Sequence, residues 1–229
     1  MKTNFKMKNK NIYSLDRRVE KLSERITESK GDKIVIFLDT SAIIDFDKEI
    51  RRARLFDENI TTTMFYDRLT LKLGLPIYVT EHVYKEADQH TRHKISGFPE
   101  ICRGTFRIIG EFHSRYCNLL KSVSRSEFDF DKVRYDVYWA GRMAFEENHK
   151  KSCRDPISKT DRELVSTALW LRYASVPDDI DNSKPISNSV IISSDCHISE
   201  TSRFLMNTEF CYDGLDPIRY NGLNVVTSR

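Results

Sequence analysis

Two apolar runs in this chain of 229 residues stop abruptly at an acid set among hydroxyls: Lys33-Ile34-Val35-Ile36-Phe37-Leu38-Asp39-Thr40-Ser41 and Val190-Ile191-Ile192-Ser193-Ser194-Asp195. Continuous Ile/Val/Phe runs without polar alternation read as parallel-sheet strands covered on both faces, and open α/β sheets bind ligands beyond their strand carboxyl ends. Asp39 and Asp195 are therefore candidates for chemistry at one edge. Two further acids belong near it. Glu86 lies one to two turns into the helix expected after the short strand Ile77-Tyr78-Val79, and Asp161 stands in Thr160-Asp161-Arg162-Glu163, where another helix opens. Four converging carboxylates would repel one another strongly. Divalent cations relieve that repulsion, and hard oxygen ligands select Mg²⁺ or Mn²⁺. A competing reading makes Asp39 only the cap of the next helix, a task that Asp, Thr and Ser all perform well. The stretch alone supports both.

The elements that must position these acids alternate between strand and helix, which implies a parallel sheet with helices on its faces. Residues 42–73 read as one or two helices, ended by Gly74 and Pro76, and Thr80 caps a helix running to about His93. A basic helix is expected over 102–123 and another over about 132–150. Thr160 and Glu163 form a capping-box pattern that opens the apolar helix Leu164 to Tyr173. A helix at 198–207 and a last strand, Leu223 to Val226, complete the order.

Ahead of the first strand, Ile12, Leu15, Val19, Leu22 and Ile26 recur at spacings of three and four, the stripe of an amphipathic helix. Two heptads are too few for a free-standing coiled coil, so the stripe is expected to dock on the chain's own core. The domain division expected is a basic extension with this helix at 1–32 and an α/β domain at 33–229, with a helical insert at about 97–155. Net charge is +3, yet residues 1–33 hold ten Lys/Arg against five acids. That surplus suits a polyanion through counterion release. No apolar run approaches the roughly 18–20 residues that cross a bilayer, and the basic start has no apolar segment behind it. Five scattered cysteines without a C-x-x-C pair argue against a disulfide framework or zinc ribbon, so no membrane role and a reducing cytoplasm are expected.

Ile36-Phe37-Leu38-Asp39-Thr40-Ser41, Val83-Tyr84-Lys85-Glu86, Thr160-Asp161-Arg162-Glu163-Leu164-Val165-Ser166-Thr167-Ala168-Leu169 and Ile191-Ile192-Ser193-Ser194-Asp195-Cys196-His197 together resemble the four ordered motifs of PIN-domain nucleases. The resemblance covers about residues 33–227. It implies a three-layer α/β/α sandwich with a mostly parallel, about five-stranded sheet. It also implies a metal-dependent endoribonuclease in which Asp39, Glu86, Asp161 and Asp195 bind two Mg²⁺ or Mn²⁺ ions, roughly 4 Å apart, and hydrolysis leaves 5′-phosphate and 3′-hydroxyl ends. Members include toxin ribonucleases of toxin–antitoxin pairs and RNA-processing nucleases, so RNA and an antitoxin or RNA-processing partner are the partners it suggests, while a homo-oligomer is the alternative use of the Ile12-to-Ile26 stripe. Here Glu86 and Asp161 stand 75 positions apart and the acidic loop before Val190 is long, which suggests added helices shaping substrate entry or an oligomer contact.

Other residues carry competing readings. Ser41 and Ser193 are candidates to orient a carboxylate, or simple caps, and Glu163 is a supporting acid whose capping-box place gives it a structural task. Asp45, Asp47 and Glu81 read first as helix-surface charges. His82, Glu86, His90 and His93 share one helix face, but ligands so spread cannot all reach one tetrahedral zinc. Arg92, Lys94, Arg103 and Arg107, interleaved with Phe98 and Phe106, are candidate RNA contacts. The rival functions are a catalytically silent PIN scaffold that binds RNA or protein and a structure-specific DNA nuclease. A haloacid-type phosphotransferase is disfavoured, because Ser41 and not Asp stands two positions after Asp39.

Overall fold

The computed structural model describes residues 16–29, 34–55, 57–75, 77–91, 106–109, 130–149, 157–173, 188–212 and 217–228. It is an α/β protein with a parallel sheet flanked by helices. In chain order the elements are α1 (16–27), β1 (Ile34–Leu38), α2 (Thr40–Arg54), α3 (Thr62–Leu73), β2 (Ile77–Thr80), α4 (Glu81–Thr91), β3 (Phe106–Ile109), α5 (Phe130–His149), α6 (Lys159–Tyr173), β4 (Asn188–Ser193), α7 (Cys196–Asn207), β5 (Glu209–Phe210), β6 (Ile218–Arg219) and β7 (Leu223–Thr227). Four parallel strands run in the order β2-β1-β4-β7, and β3 pairs parallel with the outer edge of β2. Short β5 and β6 form a separate antiparallel pair.

Apolar continuity decides the centre of the sheet. Val35, Ile36, Phe37 and Leu38 are buried in β1, as are Val190, Ile191 and Ile192 in β4, so strands without a polar face occupy the middle. Leu38 pairs with Ile192, and the Asp39 amide extends the ladder by donating to the Ile192 carbonyl. This register sets Asp39 and the residues after Ser193 at the same edge.

The N-terminal stripe docks inward. Val19, Leu22 and Ile26 of α1 are buried in the same core as Phe46 and Ile50 of α2. Arg18 ties the helix down by pairing with Glu49 and donating to the Ser228 carbonyl, while Arg25 donates to the Thr227 carbonyl at 3.3 Å. Ile12 and Leu15 lie outside the described residues. Among the described residues no helix is long and apolar enough to cross a membrane.

Two local expectations are corrected. Residues 106–109 are strand, not part of a basic helix spanning 102–123, and the rest of that stretch lies outside the described residues. Phe-Arg-Ile-Ile satisfies either period over so short a run, and the exposed backbone edge of β2 decides for strand by supplying hydrogen-bond partners. Helix α6 begins earlier than the Thr160 pattern suggested. Ser158 is its cap, accepting from the Asp161 amide at 3.1 Å while its hydroxyl donates to Asp161 Oδ2 at 2.7 Å. Glu163 is thereby released from capping and is buried against α5, where Arg134 Nη2 pairs with it at 2.5 Å.

Candidate active site

Asp39 leaves β1 and enters α2 as its N-cap, with its carboxylate accepting from the Ser41 amide at 3.2 Å. The same oxygen, Oδ2, also accepts from Ser41 Oγ at 2.5 Å and from Ser193 Oγ at 2.8 Å. Capping and site placement are thus one arrangement, because the loop that turns the chain from strand to helix also fixes the carboxylate. Burial pushes the Asp39 carboxyl above its ordinary range, and the Ser41 and Ser193 hydroxyls partly oppose this.

The two serines do more than face Asp39. Ser41 Oγ accepts from the Ser194 amide at 2.9 Å, and Ser193 Oγ accepts from the Asp195 amide, also at 2.9 Å. Each hydroxyl therefore donates to the carboxylate of one strand end while accepting from the backbone of the turn after the other. Asp195 caps α7 in turn, with Oδ1 accepting from the His197 amide at 2.7 Å.

Glu86 reaches the edge from α4, whose first turn is set by the Val83 amide donating to Thr80 Oγ1 at 3.3 Å. Thr40 Oγ1 donates to Glu86 Oε2 at 2.9 Å across the packed α2 and α4. Asp161 arrives from α6, oriented by Ser158. Burial is the largest cause that raises its carboxyl to about 7, and Asp39, Asp195 and Glu86 each raise it further against the lowering hydrogen bond from Ser158. All four acids singled out in the sequence consequently act on one electrostatic locus, although they come from four elements.

The donor set consists of carboxylate oxygens, the chemistry hard divalent cations prefer. Among the described residues, however, no three His, Cys, Asp or Glu side chains stand close enough to hold an ion between them. Each carboxylate accepts instead from its own hydroxyl or amide. What the arrangement provides is an array of acids held by short local hydrogen bonds, with one of them poised near neutral pH.

Other candidates fall away from this locus or outside the described residues. Glu163 pairs with Arg134, Asp47 pairs with Arg51 at 2.7 Å along α2, and Glu81 pairs with Lys85. Asp45 accepts from Ser228 Oγ at 3.2 Å. The side chains of His90 and Arg107 lie outside the described residues, as do His93, Arg92, Lys94 and Arg103 altogether. Thr40 and Ser158 were not singled out, yet both orient site carboxylates. Ser158-x-x-Asp161 was a readable cap signal; the Thr40 contact depends on how α2 crosses α4. No family model matches the chain, and no curated protein or solved structure matches it.

Proposed function

We propose that this chain is a PIN-like, Mg²⁺- or Mn²⁺-dependent endoribonuclease that hydrolyses RNA phosphodiester bonds and leaves 5′-phosphate and 3′-hydroxyl ends. The observation that carries this reading is the Asp161 carboxyl, raised to about 7 by burial together with Asp39, Asp195 and Glu86. Gathering like charges in this way costs stability, and perturbed carboxyls beside a sheet edge are characteristic of sites that use them. The four sequence motifs, in their order, add the resemblance to that electrostatic argument. The fold reading that accompanies it is a three-layer α/β/α sandwich.

Bound Mg²⁺ or Mn²⁺ would neutralise charge at the scissile phosphate and make water a better nucleophile at neutral pH. Asp39 with Asp195 would hold one cation and Glu86 with Asp161 the other, two acids to each and, among the described residues, no cluster of three. Ser41 and Ser193 keep the Asp39 carboxylate in one orientation, Thr40 does the same for Glu86, and Ser158 for Asp161. For Asp39 and Asp161 these hydrogen bonds favour the ionised form and oppose part of the rise that burial causes.

Cleavage of an end-labelled RNA panel with and without Mn²⁺ tests the reading, with Asp39→Asn as control. Mn²⁺-dependent internal cuts bearing 5′-phosphates, lost in the variant, are the expected result. Equal cleavage by the variant, or none by the unmodified chain, would overturn it.

A further inference from the structure

The acidic edge is bordered by three rings that no step above uses. Phe145 and His149, one turn apart at the end of α5, meet His197 in the first turn of α7. Ring centroids lie 4.5 Å apart for Phe145 and His149, 5.8 Å for Phe145 and His197, and 6.0 Å for the two imidazoles. Phe145 and His149 are inclined by only 32°, close to an offset stack.

Close packing of α5 against its neighbours brings the rings together. A Cβ at Gly141 would lie 2.9 Å from Ile157 Cγ2, just ahead of α6, and 3.3 Å from Thr201 Oγ1 of α7, so glycine is what lets α5 pack closely on both segments here. An acid stands beside each imidazole. His197 Nδ1 is 3.7 Å from Asp195 Oδ1, and His149 Nε2 is 3.6 Å from Glu200 Oε2, a buried oxygen without a hydrogen-bond partner. Yet the cluster is not core, since both imidazole side chains remain 39% exposed. Rings packed on one another yet open to solvent, beside a site acid, are arranged to receive another flat group.

We propose that Phe145, His149 and His197 form a stacking platform for an unpaired base next to the phosphate handled at the acidic edge, so that the substrate is a single-stranded segment and not a duplex. This rests on the nuclease reading and deepens it. A base within a duplex is paired and covered by its neighbours, whereas an unpaired base can lay its face on an aromatic ring. Stacking reads the face common to all bases, so the platform favours single strands with little sequence preference.

The test uses the full chain in EDTA and a short single-stranded RNA carrying 2-aminopurine, with binding followed by anisotropy and stacking by quenching. The unmodified chain should bind and quench. His149→Ala should weaken binding on the order of 10-fold and relieve the quenching, and His149→Phe should restore both, with all three proteins melting alike. Duplex RNA of the same sequence should bind more weakly and respond equally to the three. Single-stranded DNA should show the same ratios as RNA, because stacking does not read the sugar. The proposal is overturned if His149→Phe behaves as His149→Ala, if duplex binds as well as single strand, or if quenching is confined to RNA. Failure of the nuclease reading would appear separately, as absence of Mn²⁺-dependent cleavage by the unmodified chain, with the binding measurements intact.

Discussion

Replacing Asp161 by Asn should make the protein more stable at alkaline pH while disabling it. A carboxyl whose folded pKa exceeds its unfolded pKa gives up its proton less readily in the fold, so ionising it destabilises the native state. For Asp161 this cost is absent below its ordinary value of 3.8, grows as pH rises, and is complete above about 7. At 1.36 kcal/mol for each tenfold change, that interval sets an upper bound of about 4 kcal/mol. Asp161 is partly exposed, and solvent screening reduces the expected gain to about 1–2 kcal/mol. For a chain of this size that corresponds to about 2–8 °C in Tm. Asn preserves the cap, because its carbonyl can still accept from Ser158 Oγ and its backbone amide still donates to that oxygen. Thermal melts in EDTA at pH 4 and pH 8 should therefore coincide at the lower pH and separate at the higher one, with the variant above. Added Mn²⁺ should raise the Tm of the unmodified chain and not that of the variant, whose cleavage should fall by on the order of 10² or more. A variant that melts lower at pH 8, or by the same margin at both pH values, would refute the claim that burial, with the other three acids adding to it, raises the Asp161 carboxyl.

Glu163→Gln distinguishes neighbours within the third motif. It removes the charge that pairs with Arg134 between α5 and α6, so a stability loss of about 1–3 kcal/mol in urea titrations is expected, with Mn²⁺-dependent cleavage retained; a stable but inactive protein would move Glu163 into the site. Tyr220→Phe probes a second buried acid, Asp136, which is held above its ordinary range at about 6, first by burial, and accepts from the Tyr220 hydroxyl at 2.6 Å. Losing a donor to the ionised acid should cost about 1.5–3 kcal/mol at pH 8 and less at pH 5, where Asp136 is neutral. Equal losses in urea titrations at both pH values would show that the bond does not favour the charged form.

Much of the chain's organisation could be read locally. The uninterrupted apolar runs of β1 and β4 announce central parallel strands, and the acid ending each run announces both a helix cap and an edge position. The Val19, Leu22 and Ile26 stripe required a core to dock on. These features are legible because burial periodicity and capping depend on residues only a few positions apart. Short or ambiguous signals were less secure. Residues 106–109 satisfy two periods, and the Thr160 pattern hid the cap that Ser158 supplies two positions earlier.

Contacts between distant segments were settled only by the tertiary structure. Ser41 joins Asp39 to the Ser194 amide, Thr40 meets Glu86 across two helices, Arg134 takes Glu163, and the His149 and His197 rings converge through the α5–α7 approach at Gly141. Residue types alone marked Asp39, Glu86, Asp161 and Asp195 as acids able to share a site. How strongly they act on one another depends on separation and on the water excluded around them, and both are products of packing, since the energy of a charge pair scales inversely with distance and effective dielectric.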